Sequence, residues 1–276
     1  MNLSIHKLSI HQTTSLAAGY RRSLEGYSRA GIRHVEIIGP HVDPFIASDG
    51  LASAKRLLAD LGLTAISHGG MVGLWDPGPD DSPARTKALE DLQHHAEVAA
   101  SMGIDRMVCP CIANGQFTAE DYRTVVDRMR AAGEIARQFG VSLMVEFTRA
   151  SNFIGTLPTS LRLVREAAHP NIRPLFDFYH FCAGLSKFED LELIQPGEIP
   201  HVHIQDVPDM PRERLDNTTR EIPGTGVAPI ARILERLTAK GYSGPVSVEL
   251  FYPKFQEADP YELARTIREH TEPFLS

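Results

Sequence analysis

GPVSVELFYPKF, residues Gly244–Phe255, is the stretch on which the fold turns. A glycine-proline turn leads into a run of alternating apolar residues, and the run ends at Glu249, where the chain should leave a strand. Three earlier stretches have the same form: SLMVEF (142–147) reaching Glu146, RPLFDFYH (173–180) reaching Asp177, and PHVHIQD (200–206) reaching His203. In each, one side chain capable of acid/base work or metal binding stands at the end of an apolar strand-like run. Four such endings in consecutive units read as one site.

Working outward, the whole chain divides into strand-then-helix units. Strands are predicted at Leu8–Gln12, His34–Ile38, Thr64–His68, Arg106–Cys111, Ser142–Phe147, Arg173–Phe178, His201–Gln205 and Val246–Leu250. Helical patterns follow at Leu16–Ala30, Leu51–Leu61, Ala84–Met102, Ala119–Phe139, Pro158–Ala168, a short one near Phe188–Ile194, Pro229–Lys240 and Pro260–Glu272. Gly31, Gly62, Gly103, Gly140 and Gly241 punctuate the helix ends, while Ser82-Pro83 and Thr118 mark starts. Strands alternating with helices at this spacing imply parallel pairing through crossovers, and eight units in this length match a (β/α)₈ TIM barrel. A single domain over residues 1–276 is expected. The alternative is a doubly wound open sheet, but no GxGxxG turn follows the first strand, and the GTG at Gly224–Gly226 lies at some distance from the seventh.

Composition is that of a soluble globular protein, with a net charge of −7 and arginines spread along the chain. That balance speaks against nucleic acid or a polybasic membrane surface as a partner. No apolar run is long enough to span a bilayer. The opening MNLSIHKLSIHQTT lacks the charged start and apolar centre of a signal peptide. Cys109, Cys111 and Cys182 form no disulfide framework, so a reducing cytoplasm is the expected place.

In a barrel strand alternate residues face the interior and the helices. With Glu146, Asp177, His203 and Glu249 inward, Val145, Phe176, Val202, Ile204, Val246 and Val248 all turn toward the helix layer. The polar groups then lie at the C-terminal mouth, where barrel enzymes keep their sites. Three crowded carboxylates would be driven toward protonation unless a positive charge sat among them. A divalent cation meets that need, and three oxygen ligands plus one imidazole suit Mn²⁺, Mg²⁺, Co²⁺ or Zn²⁺. Such a metal polarises a ketone and lowers the cost of removing the neighbouring proton, and two glutamates on different strands can serve as base and acid. Taken singly, each acid could equally cap the next helix or be solvated in a loop.

At these residues the chain resembles the sugar phosphate isomerase/epimerase family, the xylose-isomerase-like TIM barrels, and within it the inosose (2-keto-myo-inositol) isomerases. The features shared are the VEF strand end (145–147), DFYHF (177–181), HIQD (203–206), REIPGTG (220–226) and SVELFYPKF (247–255). The resemblance implies Glu146, Asp177, His203 and Glu249 as metal ligands, with Mn²⁺ expected first. It implies Glu146 and Glu249 as the proton-transfer pair, His180 as a binder of substrate hydroxyls and Arg220 as a residue facing the site. The implied reaction is isomerisation or epimerisation of a keto-sugar or cyclitol through a metal-held enediolate. Two departures weaken a free-ketohexose epimerase: Asn152 stands where those enzymes have glutamate, and Asp209 where they have a substrate-binding arginine. The family's 3-dehydroshikimate dehydratases share the SVELF ending but place glutamine at the position of His203. A lyase acting on a ring ketone, either a dehydratase or a 3-oxo-C-glycoside deglycosidase, is therefore the runner-up. Abasic-site endonucleases use the same barrel but need more ligands and a basic face. A homo-oligomer or a complex with a second subunit is compatible with the sequence.

Other residues have two readings. His68, ending the third strand in SHGGM, binds substrate or is a structural histidine. Trp75, the only tryptophan, walls the sugar pocket or simply fills a lid or subunit contact. His11 and Glu36 end strands one and two and line the mouth, or are solvated or capping. Arg149 is a clamp or a surface charge. Asp206 orients His203, binds substrate or has neither role, and the Cys109–Cys111 pair is read as small buried residues.

Overall fold

Eight parallel strands close into a barrel in chain order, the (β/α)₈ architecture expected. The computed structural model describes residues 4–275, so Met1–Leu3 of the opening stretch and the terminal Ser276 lie outside the described residues. The strands are β1 (Leu8–His11), β2 (His34–Ile38), β3 (Thr64–Gly69), β4 (Arg106–Pro110), β5 (Ser142–Glu146), β6 (Ile172–Asp177), β7 (His201–Ile204) and β8 (Val246–Val248). Every expected strand is present with its ends shifted by no more than two residues. The helices are α1 (Gly19–Arg29), α2 (Gly39–Asp49), α3 (Leu51–Asp60), α4 (Pro83–Met102), α5 (Ala119–Gln138), α6 (Leu157–Ala167), α7 (Phe178–Ala183), α8 (Ile230–Ala239), α9 (Pro253–Gln256) and α10 (Pro260–Leu275). No described helix is long and apolar enough to cross a membrane.

Contacts gather in two compact units: residues up to 66 together with those from 202 onward, and residues 67–201. In the first, β1 pairs with β2 and β8, and β7 pairs with β8. In the second, β4, β5 and β6 run side by side, and Val108, Met144 and Leu175, on adjacent strands, form a buried apolar cluster. Met144 and Glu146 are two residues apart, so the same strand face that packs this cluster ends in the carboxylate. The donors are staggered rather than level. Glu146 is in register with Leu175, so Asp177 lies two residues further up β6; likewise His203 is in register with Ser247, and Glu249 lies two residues beyond. Tilted strands in a barrel require such a stagger.

Local signals behave as the sequence indicates at several ends. Thr118 and Asp121 form a capping box at α5, Ser82 caps α4 through the Arg85 amide, and α4 stops at Gly103, whose φ of 77° suits glycine. Three helices have no counterpart in the sequence reading. Helix α2 carries Pro40 in its first turn and Pro44 inside, which hides it from a propensity reading. Helix α7 buries five of its six residues and so shows no amphipathic period, and Phe178, expected in a strand, is its first residue. Helix α9 is a single turn behind Pro253. The helix expected from Leu16 is a 3₁₀ segment, Gln12–Ala18, followed by α1, and the short one near Phe188–Ile194 is 3₁₀ as well.

Candidate metal centre and proton-transfer site

In the first unit the expected donors are His203 and Glu249. Glu249 leaves β8 directly, buried, and its Oε2 receives the Arg220 guanidinium at 2.5 Å. The same oxygen lies 3.4 Å from His203 Nδ1, and Oε1 lies 3.7 Å from His11 Nε2. Burial by itself pushes the Glu249 carboxyl upward, but the charges of His203, Arg220 and His11 and a hydrogen bond with His203 outweigh it and hold the group well below the usual range. Arg220 is itself 1 % exposed and stacks its guanidinium 4.7 Å from the centre of the Phe251 ring. The structure thus places Arg220, expected to face the site, on one of the expected metal ligands. His11 Nδ1 accepts from the Thr13 amide, so its ring proton lies on Nε2, toward Glu249. Glu36, the one acid in the apolar run HVEII, is fully buried with Oε1 3.1 Å from His203 Nε2.

Asp206 organises this region by another route. Its Oδ1 accepts from the Val207 and Ala228 amides and its Oδ2 from those of Gly224 and Gly226. A backbone bridge to Glu221 fixes the residue next to Arg220. Gly226 is required here, because a Cβ would collide with the Val207 carbonyl oxygen. Asp206 is therefore a tie for the PGTG loop.

In the second unit the donors are Glu146 and Asp177, both buried. Glu146 is the last residue of β5; its carbonyl accepts from the Cys111 amide, and its charge adds to burial in pushing the Cys109 thiol up. Asp177 ends β6 and caps α7, its Oδ1 accepting from the His180 amide at 2.6 Å. His180 Nδ1 accepts from the Arg149 amide at 3.1 Å, which leaves the ring proton on Nε2. Two other candidates belong to this unit. His68 is fully buried with its ring 4.8 Å from that of His95 on α4. Trp75 is also fully buried and donates from Nε1 to the Cys109 carbonyl at 2.8 Å. Asn152, at the position that departs from the epimerases, bonds both backbone groups of Gly115 and closes a loop.

Glu146, Asp177, His203 and Glu249 make up a candidate metal-ligand group, all four buried. Three buried carboxylates with one imidazole are an oxygen-rich set whose negative charge calls for a cation, so the residues fit a divalent ion.

Residues 24–271 match the family model described as xylose isomerase-like TIM barrel. An inosose isomerase of Halalkalibacterium halodurans is 28 % identical over 194 residues, 69 % of this chain and 69 % of that one. A 3-dehydroshikimate dehydratase of Pseudomonas putida is 27 % identical over 253 residues, 89 % of this chain but 38 % of the longer relative. Among solved structures, the IolI protein with a bound zinc atom superposes with a TM-score of 0.89 at 21 % identity, covering 100 % of this chain and 98 % of that one.

Proposed function

The chain belongs to the xylose isomerase-like TIM barrels, and on that premise we propose that it is a divalent-metal-dependent isomerase or epimerase of a keto-polyol, with an inosose-like ring ketone as the favoured substrate. The observation that carries this reading is the buried donor set Glu146, Asp177, His203 and Glu249. The inosose isomerase relative and the zinc-holding structural neighbour agree with it. When bound there, a divalent cation supplies Lewis acidity, polarising a carbonyl and easing loss of the adjacent proton. Mn²⁺ is the first expectation, with Mg²⁺, Co²⁺ and Zn²⁺ behind it.

The chain's own residues do the rest. Glu146 and Glu249 take the proton from one carbon and return it, to the neighbouring carbon for isomerisation or to the opposite face for epimerisation. Arg220, with His203 and His11, keeps Glu249 ionised and holds one of its carboxylate oxygens. His180 donates from Nε2 to a substrate oxygen. A lyase is the second reading, favoured by the dehydratase relative that spans 89 % of the chain. It needs the same proton removal followed by loss of a β substituent.

Proton NMR of the Mn²⁺- or Zn²⁺-loaded protein in D₂O tests this, against inososes, 3-oxo-glucosides and dehydroshikimate. Deuterium should enter next to the carbonyl of one of them, and Glu146→Gln and Glu249→Gln should each slow exchange by about 10²–10⁴-fold. The product separates isomerase from lyase. Exchange that survives both substitutions overturns the assignment of the pair.

A further inference from the structure

We infer that Arg149 selects the substrate by charge, receiving an anionic substituent, a carboxylate or a phosphate, carried by the ring ketone. The inference rests on the keto-polyol reading above and narrows its substrate class. In the second unit Arg85, Arg106, Arg128, Arg149 and Arg173 are buried or partly buried. Four of them commit their guanidinium to backbone carbonyls: Arg85 to Leu74, Arg106 to Pro200, Arg128 to Asp76 and Gly78, and Arg173 to Gly197 and Glu198. Arg149 breaks the pattern. Among the described residues its guanidinium meets neither a carbonyl nor a carboxylate, and its Nε is closed off from solvent as well. A buried N–H without a partner is costly, and native structures rarely leave one.

The backbone that carries this side chain is held firmly. The Arg149 amide donates to His180 Nδ1 at 3.1 Å, and the Ser151 amide donates to the Thr148 carbonyl at 3.0 Å. Ser151 Oγ donates to the Ala113 carbonyl at 2.6 Å, and the Asn152 amide to Asn114 Oδ1 at 3.2 Å. The turn is thus tied both to α7 and to the loop after β4, while the guanidinium is left free. A cation on a fixed turn is preorganised for a ligand. His180, bonded to the same turn, is the residue assigned above to a substrate oxygen, so the two meet adjacent parts of one molecule. A planar guanidinium grips a carboxylate or phosphate through two parallel hydrogen bonds, whereas a neutral hydroxyl leaves its charge uncompensated. Charge-assisted bonds of this kind favour the anion by about 10–100-fold.

The test is calorimetric titration of the Zn²⁺-loaded wild type, Arg149→Gln and Arg149→Lys with two matched pairs of ring ketones. One pair is dehydroshikimate and its methyl ester; the other is an inosose monophosphate and the bare inosose. The wild type should bind the charged member of one pair about 10–100-fold more tightly than the neutral one, and the pair that responds separates carboxylate from phosphate. In Arg149→Gln that ratio should fall to within about 2-fold, and Arg149→Lys, which keeps the charge but not the fork, should retain part of it. Both variants should melt within about 2 °C of the wild type, because the guanidinium ties nothing in the fold together. A ratio near one in the wild type, or a preference that survives Arg149→Gln, overturns the inference. Deuterium exchange into a neutral inosose alongside such a result leaves the isomerase reading standing. Absence of exchange with every ketone is the failure of that reading instead.

Discussion

The surroundings of Glu249 and His203 contrast with those of Asp177 and its neighbour His180. Glu249 and His203 sit in a network of ionisable side chains drawn from distant points of the chain: His11, Glu36 and Arg220. Asp177 and His180 are instead set by backbone amides close in sequence or on the next loop, Asp177 as the cap of α7 and His180 by the Arg149 N–H. Ionisable side chains crowd around the first pair, and backbone amides meet Asp177 and His180. A donor fixed by charge should respond to pH and to removal of its counter-ion. A donor fixed by a cap should tolerate loss of charge as long as an acceptor oxygen remains.

The largest expected effect comes from Arg220→Met. It leaves Glu249 buried without its guanidinium, a change that typically costs about 3–5 kcal/mol when one partner of a buried pair is lost. Misplacing the carboxylate should lower kcat/KM by about 10²-fold. The sign of the pH effect follows from the depressed Glu249 carboxyl. Such a group contributes stability above its unfolded value of about 4.5, and that contribution is lost as pH falls through the lower folded value. Without Arg220 the folded value rises, so both acid unfolding and the acid limb of the rate profile should move to higher pH. Acid limbs that coincide with the wild type would mean that charge does not hold this half.

Asp177 sharpens the contrast with a smaller effect. Asp177→Asn keeps a side-chain oxygen for the His180 amide, so apo stability should stay close to wild type while cation affinity falls. Asp177→Ala also loses the cap and should cost about 1 kcal/mol more. Denaturant unfolding without metal, paired with Co²⁺ titration, reads the two contributions separately. Equal destabilisation by Asn and Ala would show that charge, not the cap, matters at Asp177 too.

What the sequence made legible is what rests on period and position. Strands of alternating or continuous apolar residues were readable because burial imposes the pattern, and an acid ending such a run stands out against it. Glu36 stood out in the same way, but its partner did not: the contact with His203 joins residues 167 positions apart, and a single sequence carries no distance information. The role of Asp206 is not legible for a related reason, since its four amide partners are backbone groups that any residue supplies. Arg220 was recognised as a site residue, yet only the structure places it on Glu249. The missed helices lacked a period to read, through proline in α2 and burial on all sides in α7.

The smallest expected effect on catalysis is at Trp75, and it decides between the two readings the sequence left open. The indole is fully buried and its Nε1 donates to the Cys109 carbonyl at the end of β4. The loop that carries it is clamped from outside: Arg85 donates to the Leu74 carbonyl, and Arg128 to the carbonyls of Asp76 and Gly78 and to the Asp80 carboxylate. A residue tied at both its side chain and its loop has little freedom to follow a substrate. Trp75→Phe keeps most of the apolar volume but loses the indole's hydrogen bond to that carbonyl, which costs about 0.5–1.5 kcal/mol. Substrate affinity and turnover should then stay within about 2–3-fold of wild type while the melting temperature falls by several degrees. Substrate binding weakened by about 10-fold or more with unchanged stability, a loss of about 1.4 kcal/mol, would instead make the indole a wall of the sugar pocket. The backbone-held half of the molecule would then contribute substrate contacts as well as rigidity.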